Sequence, residues 1–273
     1  MNVKRVLTAL IGLPIVLVIV LFGNKYMMDI LLAIIACIAM YEYLKCVSAN
    51  NDVKPIKWIS YLLAASIALI HVIPEQVLQK GSIILFPTIL FILFLHTIVT
   101  NMKITFKDIV YTLFGIVYIV GLIVFLPLTY GMEGKITGKM IMFFILMSSW
   151  GSDVAAYTIG VHFGKHRFSK VSPKKTIEGC ISGLIAAIVF CIVTAIVMNR
   201  LYNTEISYLF IGIVGGILGI IGQIGDFAAS VIKRSFDIKD FSEIFPGHGG
   251  MIDRIDSVMF IAPFAYFIFN YFV

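Results

Sequence analysis

Acidic side chains are concentrated in one stretch of an otherwise apolar chain, residues 225–256. Asp and Glu outnumber Lys and Arg there, although the whole chain carries a formal net charge of +6. An acidic cluster that faces anionic lipid requires a compensating cation. Carboxylate, water and phosphate oxygens are the ligands that Mg²⁺ prefers. The stretch therefore predicts a Mg²⁺ site beside a phosphate group, and whether a second cation binds stays open.

The first part of this stretch has the spacing of one helical face. Positions i, i+4, i+7 and i+8 are occupied by Asp226, Ser230, Lys233 and Arg234. They share a face if the helix of the preceding apolar run continues through them. Such a face carries one metal ligand and two cations that can pair with phosphate. Taken alone, the Lys-Arg pair has a plainer interpretation, since basic residues at a membrane boundary commonly anchor to the lipid surface.

A glycine-rich turn, residues 246–250, directly precedes the last apolar run. Gly249 and Gly250 allow backbone N–H groups at a helix N-terminus to approach a phosphate closely. Asp253 and Asp256 follow at positions i and i+3, so their carboxylates can hold a metal beside that phosphate. This combination within one short stretch is difficult to explain by packing alone.

A second group of candidates lies in and after the apolar run Met140–Ile159. Asp153 is an ionisable side chain inside that run, and such groups generally face the interior of a helix bundle or a water-filled cavity. Lys174 and Lys175 follow in the loop 160–178 and offer two positive charges to a polyanion. An ion pair between Asp153 and a lysine of this loop is the simpler alternative.

Plainer roles stay open for several of these residues. His248 is a candidate for substrate binding but can equally cap the glycine-rich turn. Asp256 can form a structural ion pair with Arg254 or Lys233. Glu42, near the inner end of the second apolar run, is a weak candidate, and Glu178 can have a purely structural role as a cap at the start of a helix. Asp237, Asp240 and Glu243 are interpreted as a solvated face.

The composition places these candidates in a membrane protein. Of 273 residues, 60% are hydrophobic and 13% are charged, whereas soluble proteins have about 45–50% and about 25%. This leaves too little polar surface to cover a water-exposed domain, which excludes a soluble globular enzyme. The excess of basic residues fits loops that face anionic lipid better than it fits nucleic acid. HExxH, Walker A and GxSxG sequences are absent, which argues against metalloprotease, P-loop and hydrolase classes.

Nine apolar runs have lengths suited to the ~30 Å hydrocarbon core of a bilayer. The predicted fold class is therefore an all-α polytopic membrane protein with about nine transmembrane helices. Most Lys and Arg residues fall in loops on one side, which the positive-inside rule assigns to the cytoplasm together with the N-terminus. The C-terminus is then outside. The runs are Val6–Phe22, Met27–Leu44, Trp58–Ile73, Ser82–Val99, Ile109–Leu128, Met140–Ile159, Gly179–Met198, Ile206–Ile224 and Ser257–Phe272.

We expect one integrated membrane domain. Residues 1–135 supply spans one to five, and residues 136–273 supply the catalytic spans six to nine. The cytoplasmic loops 160–178 and 225–256 are unusually long, and long loops in a compact protein are commonly functional. The site is therefore expected on the cytoplasmic side, between spans six and nine.

The motifs of the C-terminal half form one long pattern of mixed residue types. It comprises SVIKR at residues 230–234, KD at 239–240 and PGHGGMIDRID at 246–256, and extends to Asp153 and to SPKKTIEG at 172–179. This pattern resembles the signature of the phosphatidate cytidylyltransferase (CDP-diacylglycerol synthase) family. The N-terminal half is similar only in its hydrophobic character.

The resemblance implies a membrane-embedded enzyme that condenses CTP with phosphatidate, using Mg²⁺, to give CDP-diacylglycerol and pyrophosphate. It implies a bacterial cell membrane as the location and leaves open whether the protein forms a homodimer. By motif position, the implied catalytic residues are Asp226, Lys233, Arg234, Asp253 and Arg254. The implied metal ligands are Asp226 and Asp253, with Asp256 nearby. The implied substrate contacts are Asp153, Lys174, Lys175, Ser230, His248, Gly249 and Gly250.

Two other functions stay open at this point. A related lipid nucleotidyl- or phosphotransferase acting on an isoprenoid-type lipid is the nearer alternative, because the motif specifies the chemistry better than the lipid chain. An ion-coupled transporter is less favoured. Transporters of that kind carry charges near the bilayer midplane, whereas the charges here collect at the cytoplasmic ends of the spans.

Overall fold

Helices make up nearly all the regular structure of the chain. A computed structural model describes residues 14, 16–49, 52–169, 171–245 and 249–273. Among these residues no β-strand occurs, and the all-α prediction is confirmed. The helices are α1 (Lys25–Val47), α2 (Lys57–Ser66), α3 (Glu75–Val99), α4 (Phe106–Tyr130, with a π-helical segment at Ile116–Val120), α5 (Gly138–Phe163), α6 (Ile177–Tyr202), α7 (Tyr208–Ser235) and α8 (Ile252–Phe272).

Seven of the described helices, all except α2, are long and apolar enough to cross a membrane. Each corresponds to one of the predicted apolar runs, so the chain is an integral membrane protein. The run Trp58–Ile73 forms α2 and the 3₁₀ turn Ile67–Leu69, which together are apolar but shorter than a span. The run Val6–Phe22 lies largely outside the described residues. The count of nine spans and the orientation of the termini therefore stay predictions.

The chain divides into two compact units. The first comprises Met1–Pro127 and Ile238–Ile252, and the second comprises Leu128–Asp237 and Asp253–Val273. The division after Pro127 lies close to the predicted division at residue 135. The assignment of residues 238–252 to the first unit differs from the predicted boundary, because it depends on long-range contacts that hydropathy does not reveal. The prediction of one integrated domain is not tested by this division.

Polar clamps organise the first unit. Thr105 and Asp108 form a capping box at the start of α4, and Asp108 also accepts a hydrogen bond from the backbone N–H of Lys54 at 2.5 Å. The Tyr43 hydroxyl of α1 donates to the Tyr111 carbonyl of α4 at 2.8 Å. Buried Ile and Leu side chains of α2, α3 and α4 pack beside these clamps. Internal partners of this kind are required where water is excluded.

Small residues bring the helices of the second unit into close contact. A Cβ atom at Gly215 of α7 would lie 2.9 Å from the Cβ atom of Cys191 in α6. A Cβ atom at Gly225 would lie 2.6 Å from the carbonyl oxygen of Asp256 in α8. Close backbone approach through small residues is typical of helix packing in membranes. Because Gly225 directly precedes Asp226, this contact brings two of the predicted site residues near each other.

Candidate active site

The candidate charged side chains of the second unit come from four segments: the C-terminal half of α5, the loop between α5 and α6, the last turns of α7 and the first turns of α8. Helix α7 continues to Ser235, which confirms the helical spacing predicted for residues 226–234. Helix α8 begins at Ile252, so Asp253 and Asp256 lie in its first turns as predicted. Three helices and one loop therefore position the candidate residues.

One ion pair joins the loop to α7. The Lys175 ammonium contacts the Asp226 carboxylate and lies 4.4 Å from the centre of the Phe227 ring. The Lys175 and Asp226 side chains are only 23% and 26% exposed, so their attraction is screened less than that of a surface pair. The loop lysine that was an alternative partner for Asp153 thus pairs with a different carboxylate.

A second ion pair joins α7 to α8 and is more deeply buried. Lys233 Nζ lies 2.5 Å from Asp253 Oδ1, and the two side chains are 11% and 4% exposed. Ser230 lies about one turn before Lys233 on α7 and is also buried. Lys233 was a predicted alternative partner of Asp256, but its direct ion pair is with Asp253. Both members of this pair are needed, since either charge alone would be costly to bury.

Three carboxylates of the second unit act on one another electrostatically. The negative charge of Asp226 repels both Asp153 and Asp256, and these two also repel each other. Asp256 is buried and accepts a hydrogen bond from the backbone N–H of Ser257 at 2.7 Å. The buried Ser257 hydroxyl has no hydrogen-bond partner among the described residues. Like charges and an unused hydroxyl are thus concentrated where α7 and α8 meet.

A hard divalent cation fits the chemistry of these donors, because carboxylate and hydroxyl oxygens are its usual ligands. In the part of the chain that the structure describes, no three Asp, Glu, His or Cys side chains are arranged to ligate one ion. Asp226 and Asp253 are each paired with a lysine, and Asp256 lies beside them. The metal-binding roles of these three aspartates therefore stay predictions.

The remaining predicted contacts lie around the two ion pairs or in the first unit. Arg234 is exposed on α7, and its Nε donates to the Val171 carbonyl of the loop at 3.4 Å. Arg254 is exposed at the start of α8 and attracts Asp153 electrostatically. Lys174 is exposed. Of the glycine-rich turn, Gly249 and Gly250 belong to the first unit, and His248 lies outside the described residues.

Glu42 has a definite role in the first unit that the sequence did not indicate. Its buried carboxylate accepts hydrogen bonds from the Ser242 hydroxyl at 2.5 Å and from the backbone N–H groups of Met251 and Ile252 at 2.8 and 2.9 Å. A Cβ atom at Gly250 would lie 2.6 Å from the same carboxylate. Glu42 therefore holds the segment before α8. An acidic residue inside an apolar run was the available signal, but it did not identify these partners.

The plainer interpretation of three other carboxylates agrees with the structure, and Glu178 has a structural role other than the predicted helix cap. Asp237, Asp240 and Glu243 are exposed, as expected of a solvated face. Glu178 pairs with the His166 ring at 2.7 Å, while the Thr176 side chain caps α6 by accepting from the backbone N–H of Gly179. Glu178 therefore has a structural partner in the loop and does not take part in the Lys175–Asp226 or Lys233–Asp253 pair.

The fold and the site together define a class: polytopic membrane proteins whose helices and loops are joined by one buried and one partly buried Lys–Asp pair. The chain belongs to the Cytidylyltransferase family, whose family model matches residues 3–272, and it is a nucleotidyltransferase. It is 28% identical to the phosphatidate cytidylyltransferase of Bacillus subtilis over 97% of this chain and 96% of that protein. It is 33% and 32% identical to the phosphatidate cytidylyltransferases of Staphylococcus haemolyticus and Staphylococcus aureus, over 95% of each chain.

Proposed function

We propose that the protein is a phosphatidate cytidylyltransferase that converts CTP and phosphatidate to CDP-diacylglycerol and pyrophosphate for phospholipid synthesis. The names of its relatives support this reaction. The observation that carries the proposal is the convergence of the Lys175–Asp226 and Lys233–Asp253 pairs beside Asp256. A reaction between two polyanions requires such positive charges, and a membrane-embedded site suits a lipid substrate.

The chemistry needs charge neutralisation more than proton transfer. A phosphate monoester has a second pKa near about 6, so the phosphatidate oxygen is already anionic at pH 7 and needs no strong general base. This oxygen forms a bond to the α-phosphorus of CTP. The bond from that phosphorus to the oxygen bridging to the β-phosphorus breaks, and pyrophosphate leaves with the electron pair. No Ser, Cys or His nucleophile is therefore assigned.

The basic residues supply the positive charge that both substrates need. In the proposed complex, Lys175 and Lys233 exchange part of their interaction with Asp226 and Asp253 for contacts with phosphate oxygens. Arg234 and Arg254 are exposed near these pairs, where they orient the phosphates as the substrates approach. Fixed charges at the reacting group stabilise the transition state without reorganisation of solvent.

Mg²⁺ is the cofactor that we propose for the same site. Asp226, Asp253 and Asp256 would hold it, with Asp153 nearby. When bound, the ion acts as a Lewis acid that neutralises phosphate charge. The repulsion among Asp153, Asp226 and Asp256 and the unused Ser257 hydroxyl support this assignment.

The reaction is proposed to take place on the cytoplasmic side of the membrane. CTP arrives from the cytosol, whereas phosphatidate keeps its acyl chains in the bilayer. The site must therefore open both toward water and toward lipid. The excess of Lys and Arg in the loops that contain residues 160–178 and 225–256 supports this side.

Transfer of label from α-³²P-CTP to chloroform-extractable lipid tests the reaction. Purified protein is expected to label lipid only when phosphatidate and Mg²⁺ are both present, and EDTA is expected to abolish the signal. Asp226→Asn and Asp253→Asn are expected to lose about 100-fold or more of this activity. Glu243→Gln changes an exposed carboxylate and serves as the matched control.

Each outcome bears on a separate part of the proposal. Wild-type turnover in Asp253→Asn would remove that residue from the site. Labelling that is undiminished by EDTA would overturn the Mg²⁺ requirement. If well-folded protein labelled an isoprenoid-phosphate lipid but not phosphatidate, the proposed lipid substrate would be wrong.

A further inference from the structure

An apolar groove of about 490 Å³ runs along the second unit next to the ion pairs. Its walls are the first turns of α6, the C-terminal half of α7 and the loop residues Phe168, Ser169 and Val171. The lining includes Phe168, Ile181, Leu184, Ile220, Ile224 and Phe227. The amide of Gln223 also lines the groove, but its Nε2 donates to the Cys180 carbonyl at 2.9 Å. The groove therefore has an apolar character along its length.

Basic side chains are found at one end of this groove. The stripe of α7 that lines it runs through Ile220, Ile224, Phe227 and Val231. Arg234 lies one turn beyond Val231 on the same stripe, and its Nε donates to the Val171 carbonyl of the opposite wall. The Lys175 ammonium lies over the Phe227 ring, about two turns before Arg234 on this stripe. The groove thus leads from an apolar part to a positively charged part of the second unit.

The length and exposure of the groove match a lipid chain. Ile220 to Val231 covers about 16 Å of helix axis at 1.5 Å per residue. One leaflet contributes half of the ~30 Å hydrocarbon core, so a lipid chain reaches a comparable depth. Ile181, Ile220 and Ile224 are 55%, 50% and 53% exposed. Such exposure is natural where the groove opens to bilayer hydrocarbon.

We propose that this groove binds an acyl chain of phosphatidate, with the phosphate held at the end marked by Lys175 and Arg234. This inference rests on the proposed function and adds the binding site of the lipid tail. Charge complementarity selects the occupant, because an anionic headgroup at the basic end places its chain along the apolar stripe. A phosphate monoester carries about −1.5 to −2 charge at pH 7, whereas the phosphodiester of a bulk phospholipid carries one negative charge and is held less strongly.

The proposal is tested by blocking the groove and comparing the kinetics with long-chain and short-chain phosphatidate. Ile181→Trp and Ile220→Trp insert bulk on opposite walls, whereas Ile185→Trp changes a residue of α6 that is 57% exposed and lies outside the lining. We expect the first two variants to raise the KM for dioleoyl phosphatidate at least tenfold. Dihexanoyl phosphatidate is expected to react normally with Ile220→Trp, because Ile220 lies about 20 Å along α7 from Arg234 and about 10 Å from Phe227, beyond the reach of a short chain.

Three results would overturn the groove as the acyl site. The first is an equal effect of Ile220→Trp on the two chain lengths. The second is unchanged kinetics in both Ile181→Trp and Ile220→Trp, and the third is an equal effect of Ile185→Trp. Retention of radiolabelled dioleoyl phosphatidate by the purified protein, measured without CTP, separates this proposal from the reaction. Stronger binding by wild type than by Ile181→Trp supports the groove even if no product forms. Equal binding by both proteins contradicts it.

Discussion

At the scale of single residues, the two lysine–carboxylate pairs differ in depth. The side chains of Lys233 and Asp253 are less exposed than those of Lys175 and Asp226. The Lys233–Asp253 pair therefore lies in a region of lower effective dielectric constant. A buried pair contributes little net stability, but loss of one partner leaves an uncompensated charge. Lys233 is therefore expected to be structural as well as functional.

Lys233→Met is expected to lower the stability of the protein by about 3–5 kcal/mol, because Asp253 would remain buried without its partner. The measurement is the melting temperature in detergent, compared with that of Lys239→Met, which changes an exposed lysine. The double variant Lys233→Met, Asp253→Asn should recover part of the loss. An unchanged melting temperature in the single variant would contradict the inferred importance of the pair.

Glu42 is the second residue whose removal has a specific expected effect. Glu42→Ala leaves the buried backbone N–H of Ile252 and that of Met251 without their acceptor, at about 1–3 kcal/mol for each group. Hydrogen exchange at these two amides should accelerate at least tenfold. Glu75→Ala, at an exposed carboxylate, is the control. Equal protection in wild type and Glu42→Ala would show that the carboxylate does not hold this segment.

The helical positions of the candidate charged residues could be predicted, but their ion-pair partners could not. Helical spacing correctly placed Asp226, Ser230 and Lys233 along α7, because that pattern is local. The pairing of Lys233 with Asp253 and of Lys175 with Asp226 depends on how the helices pack. Several acceptors were available to each lysine in the sequence, and only tertiary structure distinguishes them.

At the scale of elements, long apolar runs predicted the helices well. Seven runs correspond to helices long enough to span a membrane. The run Val6–Phe22 lies largely outside the described residues. The remaining run, Trp58–Ile73, is mostly apolar, but its α-helix ends at Ser66 and a 3₁₀ turn follows. Hydropathy measures composition and does not detect such a change in backbone hydrogen bonding. The same limitation applies to the π-helical segment of α4 at Ile116–Val120.

Gly225 of α7 lies directly against the backbone of α8. In Gly225→Ala, the added Cβ atom would lie 2.6 Å from the Asp256 carbonyl oxygen, so the two helices must separate. We expect at least a tenfold loss of cytidylyl transfer, measured by the labelled-lipid assay. Gly216→Ala lies on the same helix, where the nearest atom would be 3.6 Å away, and is expected to retain activity. Comparable activity in the two variants would contradict the close-packing argument.

At the scale of the whole molecule, the orientation in the membrane is the main prediction still to be tested. The bias of Lys and Arg predicts that the loop before α7 is outside and that the loop between α7 and α8 is cytoplasmic. In a variant whose four natural cysteines are replaced, Glu205→Cys should react with a membrane-impermeant maleimide in intact cells. Glu243→Cys should react only after permeabilisation. The reverse pattern would invert the proposed topology.

The place of residues 238–252 in the first unit also affects how the protein is made. Ile252 follows Glu42 by 210 positions along the chain. At about 5–20 residues per second, the ribosome needs roughly 10–40 s to synthesise the intervening chain. The first unit is therefore completed only near the end of translation, and until then the early spans hold a carboxylate whose final partners do not yet exist. Helix α1, which carries Glu42, is therefore the span that a membrane chaperone would need to shield for the longest time during synthesis.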